Sequence, residues 1–215
     1  MNDLNSNTPP GGDRELPEDL RTCVAFHGHL CPGLVYGYLV AKEAAKILRL
    51  SRSADEETVV VSENDTCAVD ALQWLLGTTI GKGNLILKDY GKNVFTVLNR
   101  SDKRAFRFSR KGHYVYEGRH QGEFAKLEVA FSAGRATNKQ RMRQKWLKAL
   151  DLLSKPFNAV FDTTEVAYPE PPYAPLAPSE ACAQCGEMTM ATKMVQGEKG
   201  AHVCIPCAQK MGLDP

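Results

Sequence analysis

Phe26-His27-Gly28-His29-Leu30-Cys31-Pro32-Gly33 places two imidazoles and a thiol at every second residue, between two stretches of helical periodicity. If this link is extended, the two-residue repeat sends His27, His29 and Cys31 to one side of the backbone. Gly28 and Gly33 can take backbone angles closed to other residues, and Pro32 presets a helix entry. Such a segment reads as a pocket wall carrying borderline and soft ligands for a metal, or groups for proton transfer. It reads equally as a tight turn with one buried thiol and two partly exposed histidines.

Working backward, Pro17 followed by Glu18 and Asp19 suits a helix first turn, where acids meet the positive end of the dipole. Leu20, Val24 and His27 share one face of that helix, with Gly28 as its C-cap. Working forward, Leu34, Tyr38, Ala41, Ala45 and Leu48 form the apolar stripe of a second helix, whose wet face is Lys42, Glu43, Lys46 and Arg49. Its first two turns are apolar almost all round, which predicts burial within the fold or against a second subunit. Gly37 inside it costs about 1 kcal/mol relative to Ala and marks a close approach.

Thr58-Val59-Val60-Val61-Ser62 is a β-branched run and reads as a strand. It enters Glu63-Asn64-Asp65-Thr66-Cys67-Ala68-Val69-Asp70, where Asp65 or Thr66 can cap a helix ending at Leu76-Gly77. Cys67 then falls in a first turn, where free N–H groups and the dipole favour a thiolate, and Asp70 follows on the same face. The alternative is a small core residue at Cys67 and a capping acid at Asp70.

Gly77-Thr78-Thr79-Ile80-Gly81-Lys82-Gly83-Asn84 superficially resembles a phosphate loop. The first glycine stands one residue too close to the second, Gly83 replaces the hydroxyl residue, and the order is helix then strand, so that reading fails. Lys82 stays a candidate contact for an anionic substrate, against an ordinary solvated loop lysine.

Leu85–Lys88 and Val94–Leu98 read as a hairpin closed around residues 89–93, and Phe106 with Phe108 as a further antiparallel strand. Residues 112–134 are ambiguous, although Leu127, Val129 and Phe131 alternate. Thr137 or Asn138 opens a helix with Met142, Trp146, Leu150 and Leu153 inward and a basic outer face. Ala159-Val160-Phe161 and Thr164–Val166 read as a last core strand.

Five of the 12 prolines fall between Pro169 and Pro178, marking a semi-rigid linker. Beyond it, Cys182-x-x-Cys185 and Cys204-x-x-Cys207 stand 18 residues apart. That spacing predicts a tetrahedral zinc site of four thiolates, closed and therefore structural, supplying most of the folding energy of a small module. Met188, Met190, Met194 and Met211 are expected to pack around it, with His202 alongside.

The 215 residues are 43% hydrophobic and 24% charged, with a formal charge of +2. That balance favours neither a nucleic-acid binder nor a membrane-surface protein, and no run approaches the roughly 20 apolar residues of a membrane span. The N-terminal segment lacks a signal pattern, so the cytoplasm is expected, where the 7 cysteines are thiols or metal ligands. The expected organisation is a disordered arm (1–13), an α+β core with an antiparallel sheet packed against helices (14–168), the Pro-rich linker (169–178) and the four-cysteine zinc module (179–215).

FHGHLCPG, ENDTCAVDALQ and GKGNLILKDYGKNVFTVLNR together resemble the FmdE-like family of formylmethanofuran dehydrogenase proteins, and the two cysteine pairs resemble a zinc-finger extension found in part of that family. The resemblance spans roughly residues 17–213. It implies an α+β core paired into an intertwined homodimer, and a link to the molybdenum- or tungsten-dependent oxidoreductase that interconverts carbon dioxide and a formylated C1 carrier. Carried onto this chain, it points to His27, His29, Cys31, Cys67 and Asp70 as cleft residues, with Lys82 beside them.

Three functions follow. The first is an accessory or catalytic protein of C1 or molybdopterin metabolism. Its core would hold zinc or iron on His29, Cys31 and Cys67, with bound water acting at an open position beside Asp70, or work metal-free with Cys67 as nucleophile and His27 or His29 as base; Lys82 is the further catalytic candidate. The second is non-enzymatic metal delivery or cofactor assembly through the same thiols. The third, regulation by nucleic-acid binding through the zinc module, is disfavoured by its sparse positive charge.

Overall fold

Thr58–Ser62 forms β1 and is buried at every position, with the β-branched Val59-Val60-Val61 at its centre. In the computed structural model, which describes residues 16–197 and 200–214, β1 is the second strand of a five-stranded sheet. The arm expected over 1–13 lies outside the described residues. The other strands are β2 (Leu85–Leu87), β3 (Val94–Asn99), β4 (Arg104–Arg110) and β5 (Phe161–Val166), in the order β2-β1-β3-β4-β5. β1, β3, β4 and β5 are antiparallel neighbours, whereas β2 lies parallel to β1, Val60 opposite Leu85.

The fold is thus α+β, but the expected hairpin between β2 and β3 does not form. The Glu63 carbonyl accepts the N–H groups of Tyr90 and Lys92, and Asn64 Nδ2 donates to the Lys92 carbonyl. These bonds carry the connection around the end of β1, so the fully buried strand takes the interior position between β2 and β3.

One face of the sheet is covered by α1 (Glu18–His27), α2 (Pro32–Ile47), α3 (Ala68–Leu76), α5 (Asn138–Ser154) and the short α6 (Phe157–Val160). Tyr36, Phe95, Phe108 and Phe161 lie in that core. The opposite face carries a smaller cluster of Val59, Leu98 and Ala105 with Ile86, Val166 and Tyr168. Gly37 is the crossing point of α2 and α3: a Cβ there would stand 2.0 Å from the Ala68 carbonyl oxygen.

One ambiguous stretch is resolved and two further expectations are corrected. Leu127, Val129 and Phe131 belong to a helix, α4 (Gln121–Ser132), in which Leu127 is buried while Val129 and Phe131 are exposed. α5 opens at Thr137 with a full capping box to Gln140; of its expected stripe Trp146 and Leu153 pack partly buried against the core, but Met142 is exposed and the fully buried face is Gln144, Leu147, Ala149, Asp151 and Leu152. Two polar side chains turn inward because each has a partner: Gln144 donates to Glu128, and Asp151 accepts from the Tyr114 hydroxyl and the Glu117 N–H. β5 is an edge strand, and only Phe161 in it is buried.

The chain divides at Pro171–Pro172 into two compact units. The second contains two hairpins, β6 (Ser179–Ala181) with β7 (Met188–Met190) and β8 (Met194–Gln196) with β9 (His202–Cys204), followed by α7 (Ile205–Lys210). Of the four methionines expected around its centre, Met194 packs there with Val195, Val203, Ala208 and Leu213, while Met188, Met190 and Met211 are exposed. No helix among the described residues is long and apolar enough to cross a membrane.

Candidate metal centres

α1 continues through His27, and Gly28, at φ 96°, ends it with its N–H on the Val24 carbonyl. Only three residues later Cys31 takes extended angles as the N-cap of α2, its Sγ accepting the Leu34 N–H at 3.4 Å. The reversal between the helices folds the His27 ring back until Nε2 stands 3.7 Å from Cys31 Sγ. Cys67, the N-cap of α3, completes the group: the donor atoms of His27, Cys31 and Cys67 all lie within 4.8 Å of one another. Gly33 makes room for them, since a Cβ there would meet Cys67 Cβ at 3.0 Å and the two thiols at 3.7 and 3.8 Å.

Asp70, one turn into α3, places Oδ2 2.6 Å from His27 Nδ1. An Nδ1–H donated to that carboxylate leaves Nε2 as the basic nitrogen, aimed at the thiols. Gln73 Nε2 in turn donates to Asp70 Oδ1 at 3.3 Å. Burial pushes the Cys31 thiol up to about 11, which disfavours its charged form. Two thiols and an imidazole whose remaining nitrogen is tied to a carboxylate are the donors that suit zinc or another borderline to soft ion, with the fourth position open. A tetrahedron with metal–ligand bonds of about 2.0–2.3 Å has edges of roughly 3.5–3.8 Å, which the observed 3.7 Å matches.

His29 is not part of this group. Because α1 runs through His27, the two-residue repeat never applies, and His29 lies with its ring tilted against that of His27, centroids 4.6 Å apart. Its own pKa is lowered by burial and by the charges of His27 and Lys145. Nor does Lys82 join the group, for its ammonium donates to the carbonyls of Ser53 and Ala54 at 3.1 and 3.3 Å. Gln73 is a positioning residue that sequence reasoning passed over, and its place three residues beyond Asp70 on the same helical face was the one available signal. Gly33 serves the centre by lacking a side chain rather than by any special backbone angle.

The second centre is in the tail. Cys182, Cys185, Cys204 and Cys207 bring their sulfurs within 4.8 Å of one another, with Cys185 and Cys204 at 3.8 Å. A zinc tetrahedron of sulfurs at about 2.3 Å has edges of about 3.8 Å. Gly186, at φ 78°, turns the first knuckle and donates to the Cys182 carbonyl. The Cys204 N–H donates to Cys182 Sγ at 3.2 Å, and such backbone bonds draw that thiol down to about 6. Cys207 is pushed up to about 12 by its neighbouring thiols, Cys204 first, and by burial. Four sulfurs so close ionise together only around a cation. His202 stays outside, with Nδ1 3.1 Å from Glu180 Oε2.

A protein-family model described as "FmdE, Molybdenum formylmethanofuran dehydrogenase operon" matches residues 26–162. A probable S-adenosyl-L-methionine-binding protein of Archaeoglobus fulgidus is 28% identical over 193 residues, covering 85% of this chain and 50% of that protein. The chain therefore spans about half the length of that relative. Among solved structures, the fold is similar to a tungsten formylmethanofuran dehydrogenase FmdE-like protein from Syntrophus aciditrophicus, with a TM-score of 0.54 and 19% identity over 90% of this chain and 91% of the other. The family match takes in His27, the thiol pair, Asp70 and strands β1 to β4 with the first two residues of β5, and it covers well over half of the sequence: this chain belongs to the FmdE family.

Proposed function

We propose that this protein binds a zinc or iron ion in its core through His27, Cys31 and Cys67, and serves a molybdenum or tungsten formylmethanofuran dehydrogenase or related C1 chemistry. The observation that carries the reading is the Asp70–His27 bond of 2.6 Å, with Cys31 Sγ 3.7 Å from the imidazole's other nitrogen and Cys67 in the same group of donors. The enzyme link is supported by the family's description and by the name of the structural neighbour. An ion held there supplies Lewis acidity at its open position. Asp70 holds the ring and neutralises charge gathered at the centre, and Gln73 holds Asp70. Cys67 is only half-buried, so a ligand or a partner can reach the centre.

The tail centre is read as structural zinc, with no open position. A cytoplasmic homodimer working with oxidoreductase subunits completes the proposal, consistent with seven cysteines that form no disulfide. Partial exposure of Cys67 also favours a second reading, in which the core hands its ion to another protein without turnover.

Elemental analysis separates these claims. Two metal equivalents per chain are expected, one lost in Cys31→Ser and the other in Cys182→Ser. A Cys31→Ser protein with unchanged metal content would sink the core centre. Retention of the core ion in the presence of an apo-oxidoreductase subunit would argue against delivery.

A further inference from the structure

A cavity of about 280 Å³ in the core unit has no part in either metal centre. Its polar wall comes from Tyr36 on α2, Arg110 at the end of β4, Lys111, His113, Tyr114 and Glu117 in the segment after it, and Lys155 just past α5, with the Glu117 carboxylate taken up by Lys155. Leu152, Ala159 and Val160 make an apolar floor.

The charges around it are unequally compensated. Lys111 pairs with Asp162 at 2.9 Å and donates to the Asn158 carbonyl. Lys155 pairs with Glu117 and stands 3.7 Å from the buried Asp151, whose oxygens also take the Tyr114 hydroxyl and the Glu117 N–H. Arg110 is different. Its guanidinium lies 5.1 Å from the Tyr36 ring centroid and touches only the Gly112 carbonyl, at 3.5 Å, and no carboxylate among the described residues pairs with it. Tyr36 is 6% exposed, yet its hydroxyl has no hydrogen-bond partner among the described residues and is not sealed off from the cavity.

An unpaired guanidinium lying along the face of a tyrosine whose hydroxyl is also unpartnered makes a donor pair with no acceptor. A guanidinium fork matches a carboxylate or phosphate, and a phenol donates a further bond to the same oxygens. The apolar floor asks for a hydrophobic body behind the anion. At about 30 Å³ per water, the cavity has room for roughly nine waters, the bulk of a substituted benzene ring.

We infer that this cavity binds a small organic oxyanion, a carboxylate or phosphate monoester on a flat apolar body, with Arg110 and the Tyr36 hydroxyl on the oxyanion and Leu152, Ala159 and Val160 beneath the body. His113 stands at the wall as a further donor. The site is independent of the core ion.

Titration calorimetry on the full, metal-loaded chain tests this with three probes: phenyl phosphate, benzoate and, as a cationic control of the same size, benzylamine. One saturable site is expected for at least one of the two anions, and none for benzylamine; whichever anion binds more tightly names the headgroup. Arg110→Gln should weaken that binding about ten-fold or more, as loss of a charge-assisted pair implies. Tyr36→Phe, which removes one oxygen and leaves the ring under the guanidinium, should weaken it several-fold with an unchanged melting temperature. No saturable binding of either anion, equal binding of benzylamine, or anion affinities unmoved by Tyr36→Phe would overturn the assignment.

Discussion

The Asp70 carboxylate lies 2.6 Å from His27 Nδ1 and so selects the ring nitrogen that meets the thiols. Replacing it with alanine should lower the affinity of the core centre for zinc about 10- to 100-fold, the usual cost of removing such a partner. A competitive chelator titration reads that loss, and a melting temperature close to the parent's separates it from unfolding. Gly37 works by having no side chain. A Cβ there would lie 2.0 Å from a backbone oxygen of α3, which cannot yield as a flexible side chain would. Gly37→Ala should therefore cost about 3 kcal/mol or more, the upper range for overpacking, read as a lowered denaturant midpoint. Because Cys67 directly precedes α3, the same change should also loosen the core centre. His27, Cys31, Cys67 and Asp70 were legible in the sequence because cysteine, histidine and acid near predicted helix ends are chemically conspicuous. The choice of His27 over His29 was not legible, since it depends on where α1 stops and on which nitrogen Asp70 holds.

Among the elements, α5 begins where Thr137 said it would, because a capping box is closed by side chains only three residues apart. Thr137→Ala should cost about 1 kcal/mol, visible as a small drop in melting temperature. α1 is tied to α2 by Asp19, which accepts from the Tyr38 hydroxyl at 3.0 Å and from Lys42 at 2.7 Å. Burial raises its pKa, but those two bonds outweigh that and hold the carboxylate below its usual value of 3.8. A lowered acid pKa stabilises the fold above 3.8, and that contribution fades as pH falls through the lower folded value. Asp19→Asn should thus melt earlier than the parent at neutral pH, with the gap closing as pH falls below 3.8. α4 resisted reading because its apolar residues sit on both sides, with Val129 and Phe131 in solvent, so neither period dominates. The β2–β3 hairpin misled for another reason: residues 89–93 make a plausible turn locally, and only bonds to Glu63 and Asn64 redirect it.

For the whole molecule, the two units differ in what holds them. The core unit buries aromatic and aliphatic side chains from both layers, whereas among the described residues of the tail unit the buried ones are Cys182, Val203, Cys204, Cys207 and Ala208. So small an apolar cluster cannot offset chain entropy without a metal. Chelation of the full chain should collapse the NMR dispersion of residues 179–213 and leave that of the β1–β4 strands in place; a tail that stays dispersed without metal would refute this. By itself the sequence determined the local features: the helix stops at Gly28 and Gly77, the strand at Thr58–Ser62, the entry at Thr137 and the two cysteine knuckles. Each depends on backbone angles and side chains within about one turn of chain. Only the tertiary structure decided that β1 would part β2 from β3, that His27 would close on Cys31 and Cys67, and that Arg110 would meet Tyr36. Those pairings join residues far apart in the chain or across a reversal, where burial of the apolar strand, the Asp70 bond and the room left by Gly33 and Gly37 outweigh any local preference.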